Sequence, residues 1–390
     1  MRRVQISPRP NWKGLVEKVG LTYHTHVTPA GPRPYWDESV CYEFSSDEVD
    51  RFEKAIQDLH SLLIEAAGEV VSRGLWEEMG IPADAVPMIE RSWKADEFSL
   101  YGRFDFAWMP GGVPKLLEYN ADTPTSLVEA SVAQWFWLQD RQPTMDQFNS
   151  IHERLIAAWK RFGTLNPSIR TCDFTSVEDN LEDDQTVSYL IDTAMQAGLK
   201  TRWSAISDIG YDREQQVFVS GDSGTAPGGP MESCFKLYPW EWMFEEEFGK
   251  YLPEAPTSWI EPPWKALLSN KAILAVAWRK FPNHPNLLPC QLEPDGLNGN
   301  YVRKPKLGRE GSNVTIVRGG NVEVETPGQY GVEGYVYQAT AEIPSFGGNR
   351  PVFGGWVVDN EAAGIGVRES DGPVTDNVSR FVPHYFRPAV

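Results

Sequence analysis

Tyr101-Gly102-Arg103-Phe104-Asp105-Phe106-Ala107-Trp108 and Lys115-Leu116-Leu117-Glu118-Tyr119-Asn120-Ala121-Asp122 decide how this chain is read. Both segments alternate with period 2, the signature of half-buried strands. In the first, Tyr101, Arg103, Asp105 and Ala107 share one face, and Gly102, Phe104, Phe106 and Trp108 the other. In the second, Glu118 and Asn120 point away from Leu117, Tyr119 and Ala121. The connector Met109-Pro110-Gly111-Gly112-Val113-Pro114 signals a hairpin, with Gly-Gly supplying positive φ for a tight turn. If Gly111-Gly112 is the loop, Asp105 falls opposite Glu118 and Arg103 opposite Asn120. Carboxylates facing each other across strands destabilise a sheet unless something positive sits between them. A hard divalent cation fits, because Asp, Glu and Asn offer oxygen ligands and Mg²⁺ takes few protein ligands beside phosphates. The plainer alternative is a solvated sheet face on which Arg103 neutralises Asp105.

Composition bounds the remainder. With 390 residues the chain can bury a large core and form two or three subdomains. Hydrophobic residues at 41% and aromatics at 12%, with 15 Trp, exclude a disordered chain. The formal net charge of −18 disfavours nucleic acid as a partner, since no basic stripe offsets phosphates. It suits a cationic substrate such as a polyamine. Met1-Arg2-Arg3 leads into polar and proline residues, so no signal peptide is expected, and no apolar run reaches membrane-spanning length. Cys41, Cys172, Cys234 and Cys290 form no Cys-x-x-Cys pair and read as reduced thiols of a cytoplasmic protein.

Along the chain, Ser45 and Glu48 make a capping box. Val49, Phe52, Ile56, Leu59, Leu63 and Ala66 then mark a helix to about Val71. A shorter helix is expected from Pro82 to Trp93. After the hairpin, the hydroxyls of Thr123-Pro124-Thr125-Ser126 are expected to cap a helix over Leu127–Leu138, placing an anion-favouring helix start beside the cation site. Another helix covers Met145–Arg161. From Ser168 the texture becomes α/β: strand Ile169–Phe174, helix Thr186–Ala197, and strands Lys200–Ile206 and Gln215–Ser220, a small doubly wound unit. Gly221-Asp222-Ser223-Gly224 matches a serine-protease motif over four residues only, inside a loop-forming tract, and is set aside. His24-Thr25-His26 has strand-like spacing but no third ligand for zinc. The last third is β-rich, with strands at Tyr301–Lys304, Val314–Arg318, Tyr335–Ala339, Val352–Val358 and Gly364–Arg368.

Tyr301-Val302-Arg303-Lys304-Pro305-Lys306-Leu307-Gly308-Arg309-Glu310-Gly311-Ser312-Asn313-Val314 places a lysine at a strand end before a short Gly- and Ser-containing loop. Such a flap can cover phosphates, lysine acting as a point charge and glycines admitting backbone N–H groups. Little apolar content anchors Leu307–Asn313, so the segment is expected to be mobile without nucleotide. A solvated hairpin with basic flanks is the alternative.

The order of these pieces resembles the glutathionylspermidine synthetase family, in particular its short bacterial members without an attached amidase. The likeness rests on Arg103-Phe104-Asp105, Leu117–Ser126, Ser269-Asn270-Lys271, Arg303-Lys304-Pro305 with Arg309–Asn313, and Val336-Tyr337-Gln338. Tyr35-Trp36-Asp37-Glu38-Ser39 and Ser379-Arg380-Phe381-Val382-Pro383-His384-Tyr385 extend it over nearly the whole chain. The resemblance implies an α/β (α+β) ATP-grasp-type fold with a small inserted doubly wound α/β subdomain, divided near 1–165, 166–260 and 261–390. It also implies amide-bond formation at the expense of ATP, through an acyl phosphate.

Residue by residue, it makes Asp105, Glu118 and Asn120 the Mg²⁺ ligands. Arg103, Lys271, Lys304, Glu310, Gly311 and Gln338 become ATP contacts, Gln338 at the adenine hinge. Thr123, Thr125 and Ser126 become acid-substrate contacts, and Arg368 an arginine of the closing active-site segment, catalytic with Arg103 and Lys271. Partners would be a small carboxylic acid or peptide and an amine, possibly a polyamine, with no nucleic acid or membrane. The threonines and Ser126 keep the acid-binding pattern only in part, and no amidase motif accompanies Cys41, so glutathionylspermidine hydrolysis is not implied. A phosphotransferase, or a nucleotide-binding regulator without turnover, are the competing readings.

Overall fold

The computed structural model describes residues 1–28, 31–222, 227–376 and 378–388. Its longest helix, α1 (Ser46–Arg73), starts where the capping box predicts: Ser45 Oγ accepts from the Glu48 amide, and Glu48 accepts from the Ser45 amide at 3.0 Å. The stripe from Val49 to Ala66 is buried, and Gly74, at φ +64°, stops the helix. Expected helices appear with shifted ends at Val86–Lys94 and Ile151–Leu165.

The predicted hairpin forms as β1 (Tyr101–Ala107) and β2 (Lys115–Asn120). Asp105 pairs with Glu118 and Arg103 with Asn120, as the register argument requires. The turn is different. A bulge between Asp105 and Phe106 shifts the register, and the Gly112 amide bonds Met109 O at 2.8 Å around Pro110-Gly111, only Gly111 having positive φ. The bulge also breaks the alternation, so Leu117 and Glu118 line the same cavity. Every residue of β1 is buried, so this is an interior strand and not a half-solvated one.

Next comes the α/β unit: β3 (Cys172–Ser176), α2 (Leu181–Gln196), β4 (Thr201–Ala205), β5 (Ser233–Leu237), α3 (Trp240–Glu245) and β6 (Ser258–Ile260). Its strands are parallel in the order β6-β5-β3-β4. Val217–Ser220 does not join them. It pairs antiparallel with Gly210–Asp212 and Gly229–Pro230, because short reversals, not helical crossovers, connect these segments. Ser223 and Gly224 of the set-aside protease-like motif lie outside the described residues.

An antiparallel sheet follows, built from β7 (Cys290–Gln291), β8 (Tyr301–Pro305), β9 (Thr315–Arg318), β10 (Asn321–Glu325) and β11 (Tyr335–Ala339), ordered β7-β11-β8-β9-β10. Then β12 (Arg350–Val358), β13 (Glu361–Ser370) and β14 (Arg380–Val382) return to the hairpin, giving the central order β14-β13-β12-β1-β2. Phe104 stacks on Tyr119 at 3.9 Å between ring centroids, and one core joins them to α1. The cysteines are buried and unpaired, and among the described residues no helix is long and apolar enough to cross a membrane.

Gly355 of β12 marks where α1 packs closely on the central sheet, beside the neighbouring strand β1. A Cβ there would lie 2.7 Å from Ile56 Cγ1 and 2.9 Å from Phe106 Cε2. Gly355→Ala is therefore expected to destabilise the protein by about 1–3 kcal/mol through overpacking, read as a lower midpoint in urea unfolding.

Candidate active site

Four cations and two carboxylates gather where β1, β2, β8 and β13 meet. Asp105 lies between two arginines: Arg103 Nε is 2.8 Å from Oδ1, and Arg368 Nη2 is 2.5 Å from Oδ2. Arg103 and Asp105 are 6% and 4% exposed, which rules out the solvated-face alternative. On β2, Glu118 pairs with Lys271 Nζ at 3.1 Å, and Lys304 reaches in to donate to Leu117 O at 3.0 Å and Gln338 Oε1 at 2.8 Å. Burial would push the Glu118 carboxyl up, but Lys271, Lys304 and Arg103 outweigh it and hold the group at about 2. Burial likewise pulls Lys304 below its ordinary value, against the attraction of Glu118.

Two cavities share this cluster. The first is walled by Val302, Ile316, Lys304, Gln338 and Lys271; the second by Tyr35, Thr123, Thr125, Ser126, Asn120 and Arg368. Asp105, Glu118, Glu310, Gly311 and Thr375 line both. The candidate residues thus converge, with some surprises of detail. Gln338 faces the first cavity, yet its amide is committed at both ends, Nε2 donating to Leu116 O at 3.0 Å.

Ser126 does not cap the following helix. Its φ is +67° and its hydroxyl bonds Tyr35 Oη at 3.0 Å; the helix opens without a side-chain cap and passes through a π-turn at Glu129–Ala133 before continuing as Gln134–Arg141. Thr125 O accepts from Arg103 Nη1 at 2.6 Å, a backbone use of that residue. The loop after Lys304 is not free of anchors either. Arg309 is held by Glu241 and by Thr123 Oγ1, and Gly308 O accepts from Lys271 Nζ at 2.6 Å. Polar contacts replace the apolar anchoring whose absence suggested mobility. Gly311, at φ +70°, leaves no room for a Cβ, which would sit 2.8 Å from Thr375 O.

Residues 3–387 match the family described as glutathionylspermidine synthase preATP-grasp. The chain belongs to that family. A Haemophilus influenzae protein named "Putative acid--amine ligase" is 42% identical over 403 residues, covering all of both chains. Trypanothione synthetase of Crithidia fasciculata is 28% identical over 83% of this chain, and the bifunctional glutathionylspermidine synthetase/amidase of Escherichia coli 24% over 79%; the match spans 53% of each of those proteins. Among solved structures, a glutathione synthetase-like effector from Globodera pallida superposes with TM-score 0.58 at 10% identity, covering 96% of both chains, a likeness of fold alone. As a member of the glutathionylspermidine synthase family, this chain is an ATP-dependent carbon–nitrogen ligase on an ATP-grasp-type fold.

The donors suit the Mg²⁺ that such ligases imply. Two carboxylates and an amide form a small all-oxygen set, the kind Mg²⁺ takes when phosphates supply further ligands. Among the described residues no cluster of three His, Cys, Asp or Glu side chains could hold a metal, and His24 and His26 bond Glu17, Thr25 and Tyr23. Charge alone does not call for a metal at this pair. The facing carboxylates are already balanced by Arg103, Arg368 and Lys271, so the sheet itself does not require a metal.

Sequence reasoning missed Glu182 and Asp183, which line the second cavity from the first turn of α2. The predicted helix began at Thr186, after them. Asn180 caps this helix, accepting from the Glu182 and Asp183 amides, so in sequence the acidic turn looks like ordinary dipole compensation. Burial, with Glu182, Asp184 and Glu310 nearby, pushes Asp183 up to about 7, and burial also raises Glu182.

Glu118→Ala removes one of the three carboxylates, with Asp105 and Glu310, that line both cavities. Circular dichroism should report an intact fold, while Mg²⁺-dependent ATP turnover falls to background; turnover near the wild-type level would contradict the assignment.

Proposed function

We propose that this protein joins a small carboxylic acid or peptide to an amine by way of an acyl phosphate formed from ATP. The observation that carries the reading is the meeting of two cavities at Asp105 and Glu118, under a Gly308–Gly311 loop that lines both. Nucleotide belongs in the first, where Val302 and Ile316 offer apolar walls and Lys271 and Lys304 supply charge for phosphates. The acid belongs beside Thr123, Thr125 and Ser126, with its carboxylate toward Arg103 and Arg368.

Chemistry follows from charge. A carboxylate is a poor electrophile, so one of its oxygens first takes the γ-phosphoryl group. Two anions must approach for that, and Arg103, Arg368, Lys271 and Lys304 present fixed positive charge where it is needed. Bound at Asp105, Glu118 and Asn120, Mg²⁺ would supply further charge neutralisation at the phosphates. The neutral nitrogen of the amine then attacks the acyl carbon, the C–N bond forms, phosphate leaves with the C–O bonding pair, and the proton lost from nitrogen goes to the departing phosphate. The loop at Gly308–Gly311 keeps water from the activated acid during this interval.

Glu182, Asp183 and Glu310 make part of the second cavity's lining acidic, which selects a cationic amine. The trypanothione and glutathionylspermidine synthetases among its relatives make polyamine conjugates the first products to seek. A phosphotransferase would stop at the phosphorylated acid, whereas a ligase yields amide, ADP and phosphate.

Incubation with ATP, Mg²⁺ and pools of acids and amines, followed by mass detection, should reveal a new amide together with ADP; ADP with no amide from any pool would favour the phosphotransferase. The pH dependence carries a sign. Asp183 is neutral below about 7 and anionic above it, so KM for a cationic amine should fall as pH rises through 7. Added salt should raise that KM, and Asp183→Asn should flatten the pH dependence. A neutral amine used equally well at every pH and salt concentration would argue against the acidic lining as the amine site.

A further inference from the structure

The anchoring of Arg309 has a consequence for the loop that carries Glu310 and Gly311. Its guanidinium is bound on two sides: Nε and Nη2 lie 3.2 and 2.7 Å from Glu241 Oε1, and Nη1 lies 2.7 Å from Thr123 Oγ1. Glu241 belongs to α3, in the parallel α/β unit, whereas Arg309 follows β8 of the antiparallel sheet. The contact therefore draws one sheet's loop onto the other's helix.

A helix of six residues cannot hold a position by itself. This one is pinned from below. Asp122 Oδ2 accepts from the Trp240 amide at 2.9 Å, and Oδ1 lies 2.7 Å from Lys236 Nζ, both side chains of that ion pair being fully buried. Lys236 also sits 4.4 Å from the centre of the Trp240 ring. Asp122 stands two residues after Asn120 and directly before Thr123. The contacts thus close a ring, from Asp122 to α3, through Glu241 to Arg309, and back to Thr123.

We propose that Glu241 is a positioning residue of the ligase reaction, holding the Gly308–Gly311 loop shut through Arg309 from a helix that Asp122 and Lys236 fix beside the metal-ligand strand. The proposal rests on the ligase reading for its catalytic consequence, but not for the clamp itself. Removing the Glu241 carboxylate leaves a guanidinium without its counter-charge in a largely shielded position. It turns to water instead, and the loop opens with it.

Hydrogen exchange of residues 307–313 in the ligand-free protein tests the clamp without reference to activity. In Glu241→Ala and in Arg309→Ala, exchange there should quicken by about tenfold or more while the central sheet stays protected. Turnover should drop by about ten- to a hundredfold in kcat with little change in KM for acid and amine, and the double variant should fall no further than the worse single one. Taking both charges out of the buried pair, with Asp122→Ala and Lys236→Met together, should release the loop in the same way.

Unchanged exchange in Glu241→Ala would overturn the proposal. So would a double variant whose losses add, since Arg309 would then act on substrate independently of Glu241. Faster exchange in the variants of a protein that makes no amide would support the clamp and count against the ligase reading alone.

Discussion

Everything at this centre depends on carboxylates and cations buried together on a strand pair. Asp105 and Glu118 face each other across β1 and β2, an arrangement a sheet tolerates only with opposite charge in reach. Arg103 and Arg368 satisfy the first, Lys271 the second. Breaking such a pair by removing one partner is costly, because the survivor is left charged in a low dielectric. The same partners are what an incoming triphosphate would claim. Under the proposed reading, phosphates that took the lysines and arginines would free the carboxylates for a divalent cation, which would couple nucleotide and metal through an exchange of counter-ions.

The fold serves this exchange by bringing distant segments to one strand. Arg368 reaches Asp105 across 263 positions of sequence because β12 and β13 return to pair beside β1. Lys304 arrives from another sheet and is braced by Gln338, which in turn holds the backbone of β2 at Leu116. The loop after β8 then lies over both cavities, tied to the α/β unit by Glu241. Three sheets thus each contribute one wall, and the hairpin is the piece they share.

Much of this was legible in the sequence where local physics decides. The period-2 pattern and the glycine-containing connector gave the right pairing of Asp105 with Glu118, and the Ser45–Glu48 box marked the start of α1. The bulge was not legible, since the pattern of Leu116-Leu117 permits either register, and the true turn at Pro110-Gly111 differs from the expected one by that single step. Ser126 looked like a helix cap because hydroxyls before an apolar run usually are, but Tyr35 captures its hydroxyl. Arg309 looked free because its partners, Glu241 and Thr123, are 68 and 186 residues away. Polar anchoring between remote segments leaves no periodic trace, and the acidic turn of α2 is disguised as ordinary capping.

The fate of the carboxylate oxygens tests the central claim most directly. With an acid that the enzyme turns over, labelled in both carboxylate oxygens with ¹⁸O, an acyl phosphate requires one labelled oxygen to leave in inorganic phosphate and the other to remain in the amide. Mass spectrometry of phosphate, amide and nucleotide reads the answer in one reaction. Label in phosphate matching amide one for one is the predicted result; unlabelled phosphate, or label appearing in AMP, would contradict phosphoryl transfer to the acid at the Asp105–Glu118 centre.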